Sequence, residues 1–276
     1  MDNYERLNKD IISDPLLWRL ALRIDDECID VMLLCSVEDN SLIYRHIPFD
    51  KSAPSKLKAI EDIIYENPLL LSDFARIDCI IETKKFVLIP NEFQSNDTNE
   101  LIFAKTFPEF GGEIVINDMP ETGATILMGL ETEFISFLRR TFNNPRLYHH
   151  LTTMCRYFRH NSRMGNSGKM YAHLRQNYID VMVFGSDNIR LANTFKFRDP
   201  MDAVYYILSC RKFLNLDSSN DELFISGNST LRESITPILR KYITYVMPVI
   251  FPSSMFKAGK DAMSVPFDLI ILPLCE

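Results

Sequence analysis

Few residues in this chain are grouped so as to do chemistry. The densest acid is Asp25-Asp26-Glu27, three consecutive carboxylates in a polar turn between the apolar runs 17–24 and 29–35. Carboxylates grouped in this way repel a phosphate unless a divalent cation stands between them. A second cluster, Ser226-Gly227-Asn228-Ser229, joins an apolar strand at 223–226 to a helix beginning near Ser229 or Thr230. Its small polar residues are good capping chemistry, and Thr230-Leu231-Arg232-Glu233 has the spacing of a capping box. Asp30 and Asp180 occupy matching places in Ile29-Asp30-Val31-Met32 and Ile179-Asp180-Val181-Met182, preceded by Leu22-Arg23 and Leu174-Arg175. Alternation along a strand turns each aspartate away from its apolar neighbours, so both are expected on an outward polar face. The functional alternative puts one of them at a cleft.

Other chemistries fail on pattern. Gly168-Lys169 has Arg163 where a phosphate-binding loop needs its first glycine and Met170 where it needs Ser or Thr, which excludes that loop. No Gly-x-Ser-x-Gly elbow occurs, so the usual hydrolase nucleophile is missing. His149, His150, Cys155 and His160 lie near one another in sequence at spacings that fit no ordinary zinc pattern. Glu131 and Glu133 do not face each other on a helix, and their expected role is favourable charge at its N-terminus.

The elements that must position these residues follow from periodicity. After the two apolar runs, residues 42–49 alternate as a third strand. Ser55 then caps a helix with Leu57, Ile60, Ile63 and Ile64 on one face, ended at Asn67-Pro68. Residues 77–82 and 86–89 are further strands. The second half repeats the order: strands at 169–175 and 178–184 around a Gln176-Asn177 turn, and a third at 189–197. Asp199-Pro200 opens a helix with Val204, Ile207, Leu208 and Leu214 inward. Pro237 should bend the last long helix or delay its start. Between the halves lie a polar helix or excursion at 91–107 and strands at 113–117 and 125–128, with Gly123 and Gly129 at bends. A helix follows at 131–142, with Phe134, Phe137 and Leu138 inward, then a strand at 146–149 and a helix at 151–158. The Gly/Ser-rich run 160–168 is the expected boundary between lobes spanning 1–160 and 161–276.

Strand, strand, strand, helix, strand, repeated and bridged by helices, resembles the actin-like ATPase fold of actin, sugar kinases and the seventy-kilodalton heat-shock chaperones. The chain resembles an uncharacterised bacterial family of that fold, near the actin-like division and pilus-assembly proteins. This resemblance implies an α/β protein of two duplicated ribonuclease-H-like lobes, with mixed sheets flanked by helices around a cleft. It also implies ATP with magnesium. Phe224-Ile225-Ser226-Gly227-Asn228-Ser229-Thr230-Leu231 is similar to the family's adenosine segment, with Asn228 in place of the second glycine. Gly227, Asn228 and Ser229 would then frame the adenosine, and Asp25 and Asp26 would sit at the phosphates. The phosphate loops depart from the family pattern, because Asp-x-Gly occurs nowhere in the chain. The first hairpin, Ile24-Asp25-Asp26-Glu27-Cys28, has acid without glycine; the second, Leu174-Arg175-Gln176-Asn177-Tyr178, has neither. Arginine can meet a phosphate as a charge but cannot ligate magnesium. ATP hydrolysis is therefore not expected, no catalytic residue is assigned, and the favoured reading is a non-catalytic binding or assembly module. The alternative is an ATP-binding switch or ATP-dependent enzyme using non-standard phosphate-loop residues, with Asp25, Asp26 or Glu27 holding magnesium; a third is a cleft for a different small molecule.

With 276 residues, 46% of them hydrophobic, the chain can build two modest cores. A net charge of −7 leaves no basic footprint for nucleic acid. Arg139, Arg140, Arg146, Arg156, Arg159 and Arg163 are expected on solvated helix faces. The expected partner is another protein or a second copy of the chain. Six cysteines, at 28, 35, 79, 155, 210 and 275, show no regular spacing, and most lie in apolar runs where they are expected to serve as small hydrophobes. Met1-Asp2-Asn3-Tyr4-Glu5 carries acid where a signal peptide carries base, and no apolar run reaches a bilayer span. A cytoplasmic protein without membrane insertion is expected. Residues 265–276 are too apolar to be left in water and should pack on the core or a partner.

Overall fold

The computed structural model describes residues 6–35, 37–162 and 167–275. Met1–Glu5 in the N-terminal reading, Arg163 in the basic stretch and residues 163–166 of the expected lobe boundary lie outside the described residues. In the first half, β1 (Trp18–Ile24), β2 (Cys28–Cys35) and β3 (Ile43–Pro48) lead into α1 (Lys56–Glu66) and β4 (Arg76–Ile81). Then come β5 (Phe86–Pro90), α2 (Asn96–Thr106), β6 (Glu113–Met119), β7 (Ala124–Leu130) and α3 (Thr132–Thr141). The bridge is β8 (Arg146–His149) and α4 (His150–Ser162). The second half has β9 (Lys169–Leu174), β10 (Tyr178–Phe184), β11 (Ile189–Lys196) and α5 (Pro200–Phe213). It closes with β12 (Glu222–Gly227), α6 (Ser229–Leu239), β13 (Val246–Pro248) and the short α7 (Phe267–Ile270).

Two five-stranded sheets have the same plan, β3-β2-β1-β4-β8 and β11-β10-β9-β12-β13. In each, the first three strands form an antiparallel meander, and the two strands that follow join it in parallel. A third sheet, β5-β7-β6, belongs to the first half alone.

Local sequence explains most element ends. The Ser55 hydroxyl accepts the Lys58 N–H to start α1, and Asn67 before Pro68 stops it. Asp199 and Asp202 form a reciprocal capping box ahead of α5, with Pro200 in its favoured first position. The start of α6 differs from the box expected at Thr230. Gly227 takes a left-handed φ of 90°, and Asn228 becomes the cap, accepting the Leu231 N–H. Pro237 is tolerated inside that helix, which ends two residues later at Leu239. Gly129 is also not at a bend. It lies within β7, where a Cβ would meet the Phe103 ring at 2.5 Å, so small size is what the position demands. Gly123 does turn the chain, at φ 71°.

One core packs α1 and α3 on the first sheet, and another packs α5 and α6 on the second. A third lies between the sheets, around Leu151, Met154 and Phe158 of α4 and the C-terminal residues Leu269, Ile270, Ile271 and Leu272. Burying each of those four tail residues contributes about 1.5–3 kcal/mol, so the apolar tail packs inward as expected. To reach that place it crosses from the second sheet to the first, where Asn40 and Leu42 donate their N–H groups to the carbonyls of Lys257 and Ala258. Arg159 is not on a solvated face. It is buried, donating to the carbonyls of Glu121, Gly185, Ser186 and Asp187, and so ties α4 to the β10–β11 turn. No helix among the described residues is long and apolar enough to cross a membrane.

Candidate functional site

The turns of the β1–β2 and β9–β10 hairpins, the end of β12 and the returning C-terminal segment line a cleft of about 960 Å³. Asp25, Asp26, Gly227, Asn228 and Ser229 all contribute to its walls, so the residues singled out from sequence come together in space. What fills the floor was not foreseen. Arg23 donates from Nε to Asp268 Oδ2 (2.9 Å) and from Nη2 to Glu82 Oε2 (3.2 Å). Its Nη1 reaches both Asp25 Oδ2 (3.0 Å) and Asp30 Oδ2 (3.1 Å). Burial works against this cation, but Asp268, Glu82, Asp30 and Asp25 together raise its pKa well above the usual arginine value.

The second lobe answers with Arg175, whose Nε and Nη2 grip Asp180 at 2.9 and 3.0 Å and whose Nη1 pairs with Glu82. Glu82 therefore holds one arginine from each lobe. Thr194 Oγ1 donates to Asp180 Oδ1 at 2.6 Å, and His150 Nε2 lies 3.2 Å from the same oxygen. Burial would raise the Asp180 pKa, yet Arg175 and His150 hold it well below the ordinary carboxylate range.

These contacts correct the expectation that Asp30 and Asp180 face outward, since both are buried. Alternation does turn them from Ile29, Val31, Ile179 and Val181. The face they turn to, however, is covered by the other lobe and the C-terminal segment rather than by water. Asp30 also accepts the Tyr44 hydroxyl (2.7 Å) and approaches His46 Nδ1 (2.7 Å) on the neighbouring strand. Burial and the Asp30 charge push the Cys28 thiol and the Tyr44 phenol well up, so both keep their protons near neutral pH.

Each sequence-derived site residue has a local task. Asp25 Oδ1 accepts the N–H groups of Glu27 (2.7 Å) and Cys28 (2.8 Å), closing the hairpin turn, while its Oδ2 faces Arg23 and the Cys28 thiol. Burial opposes its charge, but the Glu27 N–H, Arg23 and the Cys28 N–H hold its pKa below the usual range. Asp26 is exposed and pairs with Lys56 Nζ at 2.9 Å. Gly227 packs its backbone on β9, where a Cβ would sit 2.0 Å from the Leu174 carbonyl oxygen. The Asn228 N–H donates to that same oxygen at 2.8 Å. Ser229 is exposed at the first position of α6. Behind this wall, His173 is buried with Nδ1 2.9 Å from Ser226 Oγ, and burial pushes its pKa down to about 4.

Over residues 13–246 the sequence matches the model of a family described as protein of unknown function (DUF3822). The chain belongs to that family. A search of curated proteins finds no match. Among solved structures, a Bacteroides thetaiotaomicron protein with actin-like ATPase fold and unknown function superposes with a TM-score of 0.81 at 25% identity, covering 95% of this chain and 97% of that one. A chain of the PilM–PilN type IV pilus biogenesis complex superposes with a TM-score of 0.54 at 11% identity, covering 94% and 99%. At that identity the second likeness speaks of fold alone. The chain thus has the actin-like ATPase fold that its element order resembled.

ATP with magnesium is the group this fold implies, and the residues at the two hairpins fit it poorly. Both Asp25 oxygens are engaged in the turn and with Arg23, and the two hairpin arginines, Arg23 and Arg175, are already bound by carboxylates. A polyphosphate would enter beside surplus negative charge and would have to break buried ion pairs, each of which is costly to open.

Proposed function

We propose that this chain is a non-catalytic actin-like module that binds a protein partner or a second copy of itself. The observation that carries the reading is Glu82, which joins Arg23 of the first lobe to Arg175 of the second at the place expected for phosphate. With its cations satisfied from within, the cleft floor has no need of a nucleotide to balance charge. Two further features support binding to protein. An apolar groove of about 760 Å³ runs beside β13, lined by Tyr157, Phe224, Met247 and Phe251 with Ile250 exposed at its edge. β13 is the last strand of its sheet among the described residues, an edge of the kind that can accept another strand. PilM, which shares the fold, occurs in a complex with PilN, so the scaffold is compatible with that use.

The test is thermal unfolding with and without millimolar ATP and magnesium. A nucleotide that bound only the folded chain would add about 2.7 kcal/mol at a hundred times its dissociation constant. The expected midpoint is unchanged. A rise of several degrees would overturn the reading and establish a nucleotide-binding switch.

A further inference from the structure

We propose that Cys28, Asp30 and His46 form a binding site for a divalent zinc-class ion on the cleft wall. Cys28 and Asp30 are two apart on β2 and so project to one face, and His46 is the cross-strand partner of Asp30 on β3. One donor atom from each falls within 4.8 Å of the others. Thiolate, carboxylate and imidazole are the donors zinc takes, whereas magnesium and calcium want oxygen alone.

Two independent observations point to a cation here. The first is charge. In the floor network the carboxylates of Asp25, Asp30, Glu82, Asp180 and Asp268 share two guanidiniums, those of Arg23 and Arg175, with the imidazoles of His46 and His150 beside Asp30 and Asp180. A buried surplus of negative charge is costly, and a dication that displaces one thiol proton lowers it by one unit. The second is comparison between the lobes. Asp180 is the counterpart of Asp30, and its cross-strand partner on β11 is Thr194. The residue two before it is Tyr178. Asp180 is satisfied by a two-point grip from Arg175, by Thr194 and by His150 reaching in from α4. On the strands themselves, the second lobe has Tyr178 and Thr194 where the first has the thiol of Cys28 and the imidazole of His46.

The ion would enter between Asp30 and His46 as their hydrogen bond opens. Arg23 occupies Asp30 Oδ2, while Oδ1 accepts the Tyr44 hydroxyl and faces His46 Nδ1, each at 2.7 Å. A tetrahedral zinc site sets such donors about 3.3 Å apart, and the His46 side chain, 57% exposed, is free to move that distance. The imidazole proton moves to Nε2, toward solvent. A sulfur–metal bond forms as the Cys28 thiol proton leaves to water, so one proton is released per ion bound. Three protein donors leave one tetrahedral position, and it opens on the cleft that all three line.

The test is titration of the chelator-treated full chain with zinc and with cobalt(II). The expected result is one equivalent bound and a cobalt–thiolate charge-transfer band that is lost in Cys28→Ser. His46→Ala, at an exposed strand position that should not affect folding, is expected to weaken zinc binding at least about tenfold. Absence of a cobalt–thiolate band in the wild type would overturn the proposal. So would a band that survives in Cys28→Ser, or zinc affinity unchanged in His46→Ala.

Discussion

His173 shows how a single side chain registers the closed cleft. It is buried behind the Gly227 wall, and burial drops its pKa from 6.5 to about 4. Between those values the unfolded chain binds a proton that the folded chain refuses. Stability is therefore full above about pH 6.5 and is lost as pH falls toward about 4, by roughly 3 kcal/mol for this residue. His149 is displaced in the same direction by burial and by its neighbour His150. Asp25 and Asp180 add their own losses only at lower pH, below the ordinary carboxylate value near 3.8. The urea midpoint is expected to fall steadily between about pH 7 and pH 4.5, and His173→Gln should fall less steeply. Parallel curves for the two proteins would mean that His173 stays accessible to protons in the folded chain. Sequence alone did not single out His173, Glu82 or Asp268. The arginines were visible as the Leu-Arg pairs of the repeat, but Arg23 is 59 residues from Glu82 and 245 from Asp268, separations at which no local pattern signals a contact.

At the scale of elements, the turn after β12 is where local chemistry and tertiary fit part company. Caps such as Ser55 and Asp199, and the stop at Asn67-Pro68, were legible because their hydrogen bonds close within a few residues. Gly129 and Gly227 were harder to place, since what each demands comes from a distant neighbour: the Phe103 ring for one, the Leu174 backbone for the other. Gly227 was read through its likeness to an adenosine-binding glycine, yet its left-handed φ and its contact with β9 give it a structural task that needs no nucleotide. Gly227→Ala combines left-handed strain with a clash against backbone that cannot turn aside. It is expected to cost at least about 2 kcal/mol in chemical denaturation, with or without ATP present. A neutral substitution would show that the β12–α6 turn relaxes easily and that β9 does not fix it.

Across the whole molecule, the lobes share more than a cleft. Ala21, Met32 and Ile80 of the first sheet and Tyr171, Met182 and Phe184 of the second belong to a single buried cluster with α4 and the C-terminal segment. Glu82 and Asp268 add ion pairs across the same interface. Domains joined by a small polar contact move independently, whereas a continuous apolar core makes them unfold together. The matching strand orders were legible from periodicity; this coupling was not, because it depends on a tail that crosses back to the first lobe. Trp18, the single tryptophan, stands at the start of β1 in the first lobe. Its fluorescence and the far-UV circular dichroism should therefore trace one transition. Gly227→Ala, made in the second lobe, should lower the Trp18 midpoint as far as it lowers the circular dichroism midpoint. If Trp18 were unmoved while the circular dichroism split into two phases, the lobes would be independent. The Arg23–Glu82–Arg175 bridge would then be a contact that opens freely, and a nucleotide-driven change of cleft width would regain its physical basis.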